Sequence, residues 1–471
     1  MRAINAYEAP RWLIPALLAI AIGGAALVLF ALRASEWTGD EVTYARRAAA
    51  LADWATGRGS DAGVFGAVIG RGWFMPGMAA LGAPLFIVFP NAPNWLAALY
   101  IGAVNAALFA GFVRTVAPVV GERWRWFLVF PLLAPLWWVG AFAFLPDLPA
   151  GLLLAIAMAL AWRAAMQLLA GDTPSWRLVV ALELCLIAAL YLRGPMLVAA
   201  LGLNAILIAL ALPRLRAAIR PAAGLALFIA ALTPWSIVAS GHFGAPVITT
   251  TNFPLVIADG FGDPARTCFG PCPPGRDIVP AWQFAQERAQ ATGEHPFVVQ
   301  QAMMRASLEG LSMRRYLQNV RGAFGRFLGD PGGWLAKKLR LSFAVPPDRR
   351  PVLQTLALAV TWLLYAPFML ALLATNALPV RSNDSLAVQS VLIKGMTACL
   401  FLQPFLHKSS GRYWIGFAVL GTWAALVLAA WWRERGLSLV RPDRAMPRWL
   451  DAMQVVYGTG FVTLSLAILL A

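Results

Sequence analysis

The chain has 471 residues and a formal net charge of +16, is 60% hydrophobic and only 13% charged, and has a mean hydropathy of +0.68. Soluble domains carry roughly 25% charged residues, so a water-facing fold is excluded, and the alternation of an outer-membrane barrel is absent. The excess of arginine does not point to nucleic acid. The arginines lie in short loops between apolar runs, where membrane orientation and contact with anionic head groups or phosphates account for them.

The first apolar run, Trp12–Leu32, follows Arg2 and Arg11. It is longer than a signal-peptide core and has no clean small-residue cleavage site before Glu36, which predicts a retained anchor. A first external loop, residues 33–73, comes next. It opens on Thr38-Gly39-Asp40-Glu41-Val42-Thr43-Tyr44, an acidic pair just outside a membrane span, where carboxylates are costly to keep. Val42–Ala55 has small apolar residues at helical spacing with Arg46 and Arg47 on another face, the pattern of an amphipathic surface helix. Thr38 and Glu41 also fit a capping box, in which Glu41 caps the helix while Asp40 faces elsewhere. Six glycines between Gly57 and Gly72 predict a flexible loop, and no P-loop signature accompanies them. Phe74–Phe89 is apolar but short and carries Pro76 and Pro84, so it is expected to be re-entrant or interfacial.

Further apolar runs follow at Asn94–Val113, Trp126–Phe144, Leu148–Met166, Trp176–Leu192, Met196–Leu212 and Pro221–Ser240. After the long loop come Val352–Thr375, Leu386–Leu406, Tyr413–Trp432 and Leu450–Leu470. With the anchor this predicts an all-α polytopic membrane protein of about eleven transmembrane helices. With Phe74–Phe89 not crossing and the N-terminus cytoplasmic, nearly every short basic loop is cytoplasmic, as the positive-inside tendency requires. The C-terminus is then external. The external face collects Asp40 and Glu41, the turn at Asp147, the turn Arg193-Gly194-Pro195, and the turn from His407 to Arg412. It also carries the long loop 241–351, whose second half, Ala302–Phe343, predicts amphipathic helices on the outer leaflet. No internal repeat breaks the chain, which reads as one domain over residues 1–471.

Cys268 and Cys272 lie in a polar loop without a second ligand pair, so a disulfide is favoured over a zinc half-site. His242, His295 and His407 are scattered, and no nucleophile elbow or dinucleotide fingerprint is present. What is left is two acidic turns and several cationic turns on one face. A carboxylate to accept a proton and cations to hold a phosphate leaving group suffice for group transfer from a membrane-borne donor.

The order of these features resembles the GT-C superfamily of polyprenyl-phosphate-sugar-dependent glycosyltransferases, in the branch of protein O-mannosyltransferases and lipid A aminoarabinose transferases. The segments that carry the resemblance are Gly39–Tyr44, Thr233-Pro234-Trp235, Phe243-Gly244-Ala245-Pro246-Val247 and Gly411-Arg412-Tyr413. The resemblance implies a GT-C-type helical bundle in the bacterial inner membrane, with its active site facing the periplasm. It implies Asp40 as the base that deprotonates the acceptor during inverting transfer, with Glu41 beside it and Asp147 as the second acidic site. Arg412, His407 and Lys408 would hold the donor phosphate, with Arg193 and Arg71 as further candidates, and Tyr44 and Tyr413 would line the cavity. Whether Asp40 and Asp147 coordinate a divalent cation stays open, and no other cofactor is implied. The implied partners are a polyprenyl-phosphate sugar, membrane lipids and an acceptor lipid, glycan or protein. The chain departs from the branch at its usual His-Pro-Pro, where it has Arg71-Gly72-Trp73-Phe74-Met75-Pro76.

Rival readings stand beside this one. Asp147 could merely cap the following span, and the His407–Arg412 turn could be a head-group anchor. Glu183 and Lys394, charges inside apolar runs, could serve a lipid or solute transporter, although Lys394 could also snorkel to the interface.

Overall fold

The computed structural model describes residues 10–32, 37, 39–128, 140–275, 279–329, 346–406, 414–440 and 447–470. Among these residues every regular element is helical. Helix α1 is Leu13–Leu32, α2 Asp40–Ala55, α3 Asp61–Ile69, α4 Gly77–Val88 and α5 Asn94–Val120. The middle of the chain forms α6 (Asp147–Ala170), α7 (Trp176–Leu192), α8 (Met196–Ala211) and α9 (Leu215–Phe243). The long loop contributes α10 (Phe253–Phe261), α11 (Val279–Thr292), α12 (Pro296–Leu308) and α13 (Met313–Gly329). The chain closes with α14 (Arg350–Ala377), α15 (Asp384–Phe401), a single turn at Gln403–Leu406, α16 (Trp414–Arg435) and α17 (Arg448–Leu470).

Among the described residues five helices are long and apolar enough to cross a membrane: Asn94–Leu128, Asp147–Ala170, Leu215–Phe243, Asp384–Leu406 and Arg448–Leu470. Together with shorter apolar helices they are compatible with a multi-pass membrane protein. Most of the expected span Trp126–Phe144 lies outside the described residues, as does part of the 302–343 stretch. Helix α4 has 12 residues, about 18 Å at 1.5 Å per residue, well short of the roughly 30 Å hydrocarbon core. Its Met78, Ala79, Gly82, Ala83, Leu85 and Phe86 are buried, and it packs on α2.

Helix α6 is the central post, packed against α5, α7, α8, α15 and α16. Its buried face is rich in small residues, including Ala150, Gly151, Ala155, Ala159 and Ala165, which let neighbouring backbones approach where no water drives association. The glycine Gly171 ends it in the left-handed conformation at φ 92°, as a C-cap requires. Helix α17 is peripheral, with Val456, Leu466, Leu469 and Leu470 exposed on its outer face, as expected of a helix solvated by lipid.

Local readings change in three places. The glycine-rich stretch is not an open loop: α3 forms within it, started by Ser60, whose hydroxyl accepts from Gly63 N at 3.1 Å. Lys394 does not snorkel. It is 3% exposed, and Nζ donates to Leu378 O at 2.8 Å, Ser390 Oγ at 2.8 Å and Gln454 Oε1 at 2.9 Å, which satisfies all three of its donors. The long loop is helical in its first half too. Helices α10, α11 and α12 share a small second core of Leu255, Cys268, Ala281, Ala285, Ala289, Val299 and Met303. Cys268 and Cys272 form a disulfide beside it.

The contact between α4 and α7 is backbone to backbone. A Cβ at Gly77 would fall 2.4 Å from the carbonyl carbon and oxygen of Tyr191 and 2.6 Å from Leu192 N. Neither partner can swing away as a side chain would. Gly77→Ala is expected to destabilise the protein by about 1–3 kcal/mol, read as a lowered midpoint of thermal unfolding in detergent; an unchanged midpoint would show that the two helices are not in register as described.

Candidate active site

A cavity of about 710 Å³ opens where α2, α6, α7, α10, α12 and the end of α15 converge. Three polar groups named from sequence line it: Tyr44, Asp147 and Arg193. Asp147 is the first residue of α6, and Pro146 occupies the N-cap without a side-chain hydrogen bond. The Asp147 carboxylate is bonded across to α7. It takes a charge-assisted hydrogen bond from Arg193 Nη1, and the two side chains are 2% and 11% exposed. Arg193 is the C-cap residue of α7 in an extended conformation, so the turn that ends α7 aims the guanidinium at α6. In an apolar wall each charge makes the other tolerable.

Helix α2 brings the first acidic motif. Its N-cap is Gly39 at φ 56°; Thr38, the partner of Glu41 in the capping-box reading, lies outside the described residues. Glu41 is 3% exposed and accepts from Phe144 N at 3.3 Å. It thus ties the start of α2 to the segment that leads into Asp147. Asp40 is half-buried and does not line the cavity, whereas Tyr44 does. The two stand four residues apart, on one face of α2, so Asp40 lies one turn from the cavity wall. Tyr44 packs on Phe74 with ring centroids 4.7 Å apart.

Arg47 departs from the expected solvent-facing position. It is 5% exposed, and its guanidinium donates to the carbonyls of Val68, Phe74 (3.1 Å) and Met75 (3.4 Å). These carbonyls lie at the end of α3 and in the turn before α4, where no helix supplies partners. Burial lowers its pKa to about 10, which leaves it cationic at neutral pH. It pins the stretch Trp73–Met75, which forms part of the cavity wall.

A further part of the wall is formed by residues 246–250 and Asn252. Trp235 Nε1 donates to Thr249 O at 2.7 Å, Ser236 Oγ to Val247 O at 2.7 Å, and Val247 N to Ser240 Oγ at 2.9 Å. Trp235 of the Thr-Pro-Trp sequence is thus an anchor for this wall. Helix α12 presents Phe297, Gln301, Met304 and Arg305 to the cavity, at the spacing of one helical face. Arg305 is exposed, and among the described residues no carboxylate pairs with it. Sequence reasoning missed it, because one basic residue in a basic amphipathic stretch carries no distinguishing signal.

The remaining sequence candidates separate. Arg71 lines a smaller neighbouring pocket. His407, Lys408, Arg412 and Tyr413 lie outside the described residues, although Leu402, Gln403 and Leu406 just before them line the main cavity. Among the described residues no group of three or more His, Cys, Asp or Glu side chains could hold a metal ion.

No model of a known protein family matches the chain, and neither a curated protein nor a solved structure matches it. The geometry of the site therefore carries the functional argument.

That geometry makes the Asp147–Arg193 pair testable. Asp147→Asn or Arg193→Gln alone should cost about 3–5 kcal/mol, since each strands a buried charge. The double variant should cost much less than the sum, measured as a thermal double-mutant cycle in detergent. Strictly additive losses would mean that the two side chains do not interact.

Proposed function

We propose that the chain is a membrane glycosyltransferase that moves a sugar from a polyprenyl-phosphate donor to a hydroxyl acceptor on the external face of the bacterial inner membrane. The observation that supports this most is the chemistry of the cavity wall. Leu192, Leu197, Val198, Ile248, Leu402 and Leu406 give an apolar surface suited to a lipid chain. Among the described residues, one carboxylate, Asp147, and two guanidinium groups, Arg193 and Arg305, are set into it. Asp147 offsets Arg193, so one positive charge is left in excess, as an anionic lipid phosphate needs.

In the proposed reaction the acceptor oxygen attacks the anomeric carbon from the face opposite the phosphate. The new C–O bond forms as the bond from C1 to the phosphate oxygen breaks, and the anomeric configuration inverts. The polyprenyl phosphate leaves with the electron pair, and its charge is held by Arg305 and the 407–412 cations. Asp40 takes the acceptor proton; Asp147 is committed to Arg193 and has a positioning role. Glu41, bonded to Phe144 N, sets Asp40 relative to Asp147.

Two variants test this division of labour. Asp40→Asn should lower transfer from a polyprenyl-phosphate sugar by about 10²–10⁴-fold while leaving donor binding intact. Arg305→Gln should instead weaken binding of the polyprenyl phosphate itself. Wild-type turnover in Asp40→Asn would remove the base assignment, and unchanged lipid binding in Arg305→Gln would remove the phosphate contact.

A further inference from the structure

Beside the main cavity, and sharing Trp73 and Phe297 with it, is a second pocket of about 140 Å³. Its polar lining comes from Arg71, His242, Gln286, His295 and Gln300, and its aromatic lining includes Trp73, Phe243 and Trp282. A water occupies roughly 30 Å³ of liquid, so the space suits a single sugar ring rather than an oligosaccharide.

The guanidinium of Arg71 stacks on Trp282, with Cζ 3.7 Å from the ring centroid, and lies 5.3 Å from that of Trp73. Stacking holds the plane of the guanidinium while its N–H edge stays available for hydrogen bonds. Among the described residues no carboxylate pairs with Arg71, and none lines the pocket. Gln300 supplies an independent observation. It is 4% exposed, and its Oε1 has no hydrogen-bond partner among the described residues. A buried amide oxygen in that state costs free energy that a donor hydroxyl would recover.

His295 adds a further donor. Its Nδ1 accepts from Phe297 N at 3.1 Å, so in the neutral ring Nε2 carries the proton. Burial, reinforced by the neighbouring His242, holds its pKa below the ordinary imidazole value. The frame is fixed: Thr251 N donates to Gly72 O at 2.9 Å. Gly72 itself has φ 69°, and a Cβ there would meet Phe243 and Thr251 at 2.6 Å.

We infer that this pocket binds a monosaccharide unit bearing one anionic substituent, with the anion on Arg71 and a sugar hydroxyl on Gln300. Aromatic walls, a held cation and a buried acceptor together select a hydroxylated anion over either a plain anion or a neutral sugar. Its place as the acceptor subsite, one wall away from the donor cavity, rests on the glycosyl-transfer reading; the binding itself does not.

The test is calorimetric titration of the full chain in lipid nanodiscs with glucose 1-phosphate, glucuronate, inorganic phosphate and methyl glucoside. Glucose 1-phosphate and glucuronate should each bind about tenfold or more tighter than inorganic phosphate or methyl glucoside, the scale of one charge-assisted hydrogen bond. Arg71→Gln should abolish the preference for the charged sugars over methyl glucoside. Gln300→Leu, which keeps the side-chain volume, should weaken all three sugars and leave the weak binding of inorganic phosphate unchanged. Both variants should retain the wild-type midpoint of thermal unfolding within a few degrees, and Arg71→Lys covers a failure of the first, since it keeps the charge and loses the stacked fork. No binding of either charged sugar to the wild-type protein, or wild-type binding of both in Arg71→Gln and in Gln300→Leu, would overturn the proposal. Polyprenyl-phosphate binding measured in the same samples separates the two ideas. Charged-sugar binding without donor binding would retain this site and remove the transferase reading.

Discussion

The site depends on one buried ion pair. Asp147 and Arg193 are 46 residues apart in sequence, and each sits where its charge would be prohibitive alone. Their contact fixes the start of α6 against the end of α7. Gly77 then allows α4 to meet the α7 backbone directly, and α4 in turn carries α2. Through this chain of contacts the position of Tyr44, and of Asp40 one turn away, follows from the pairing of two charges on other helices. Glu41 closes the circuit by holding the Phe144 amide beside Asp147.

Charge balance gives the cavity its chemical character. Had Asp147 been alone, the wall would favour cations; with Arg193 it is neutral, and Arg305 tips it to attract anions. Apolar walls next to that charge favour an amphiphile over a soluble metabolite. Inside the helical bundle the other charges are turned to structural use. Lys394 is saturated by three acceptors, and Glu183 is held by Asn204 at 3.3 Å.

The apolar helices in the middle of the chain were legible in the sequence. Trp176–Leu192 and Met196–Leu212 end within a residue of α7 and α8, because burial in lipid leaves little besides hydropathy to decide them. The short elements of the external region were less legible. Helix α3 hides among glycines that weaken its propensity, and only Ser60 signals its start. Arg47 reads as a surface charge because it follows Arg46 on a face apart from the small apolar residues, whereas its partners are carbonyls 21 to 28 residues away. Asp147 and Arg193 were each visible as candidates, but their pairing was not, since nothing local in either turn records it. Arg71, a donor-phosphate candidate by resemblance, stacks on a tryptophan 211 positions further along the chain and lines the smaller pocket, a contact that nothing local in the sequence records.

The most direct measurement of the central claim is the fate of a doubly labelled donor in proteoliposomes of the purified protein. The sugar and the polyprenyl phosphate carry different labels, and lipids and glycans extracted from a bacterial envelope serve as acceptors. A transferase should release unglycosylated polyprenyl phosphate and leave the sugar label on a new product with inverted anomeric configuration. Donor that stays intact, or that crosses the bilayer with both labels still joined, would contradict the account.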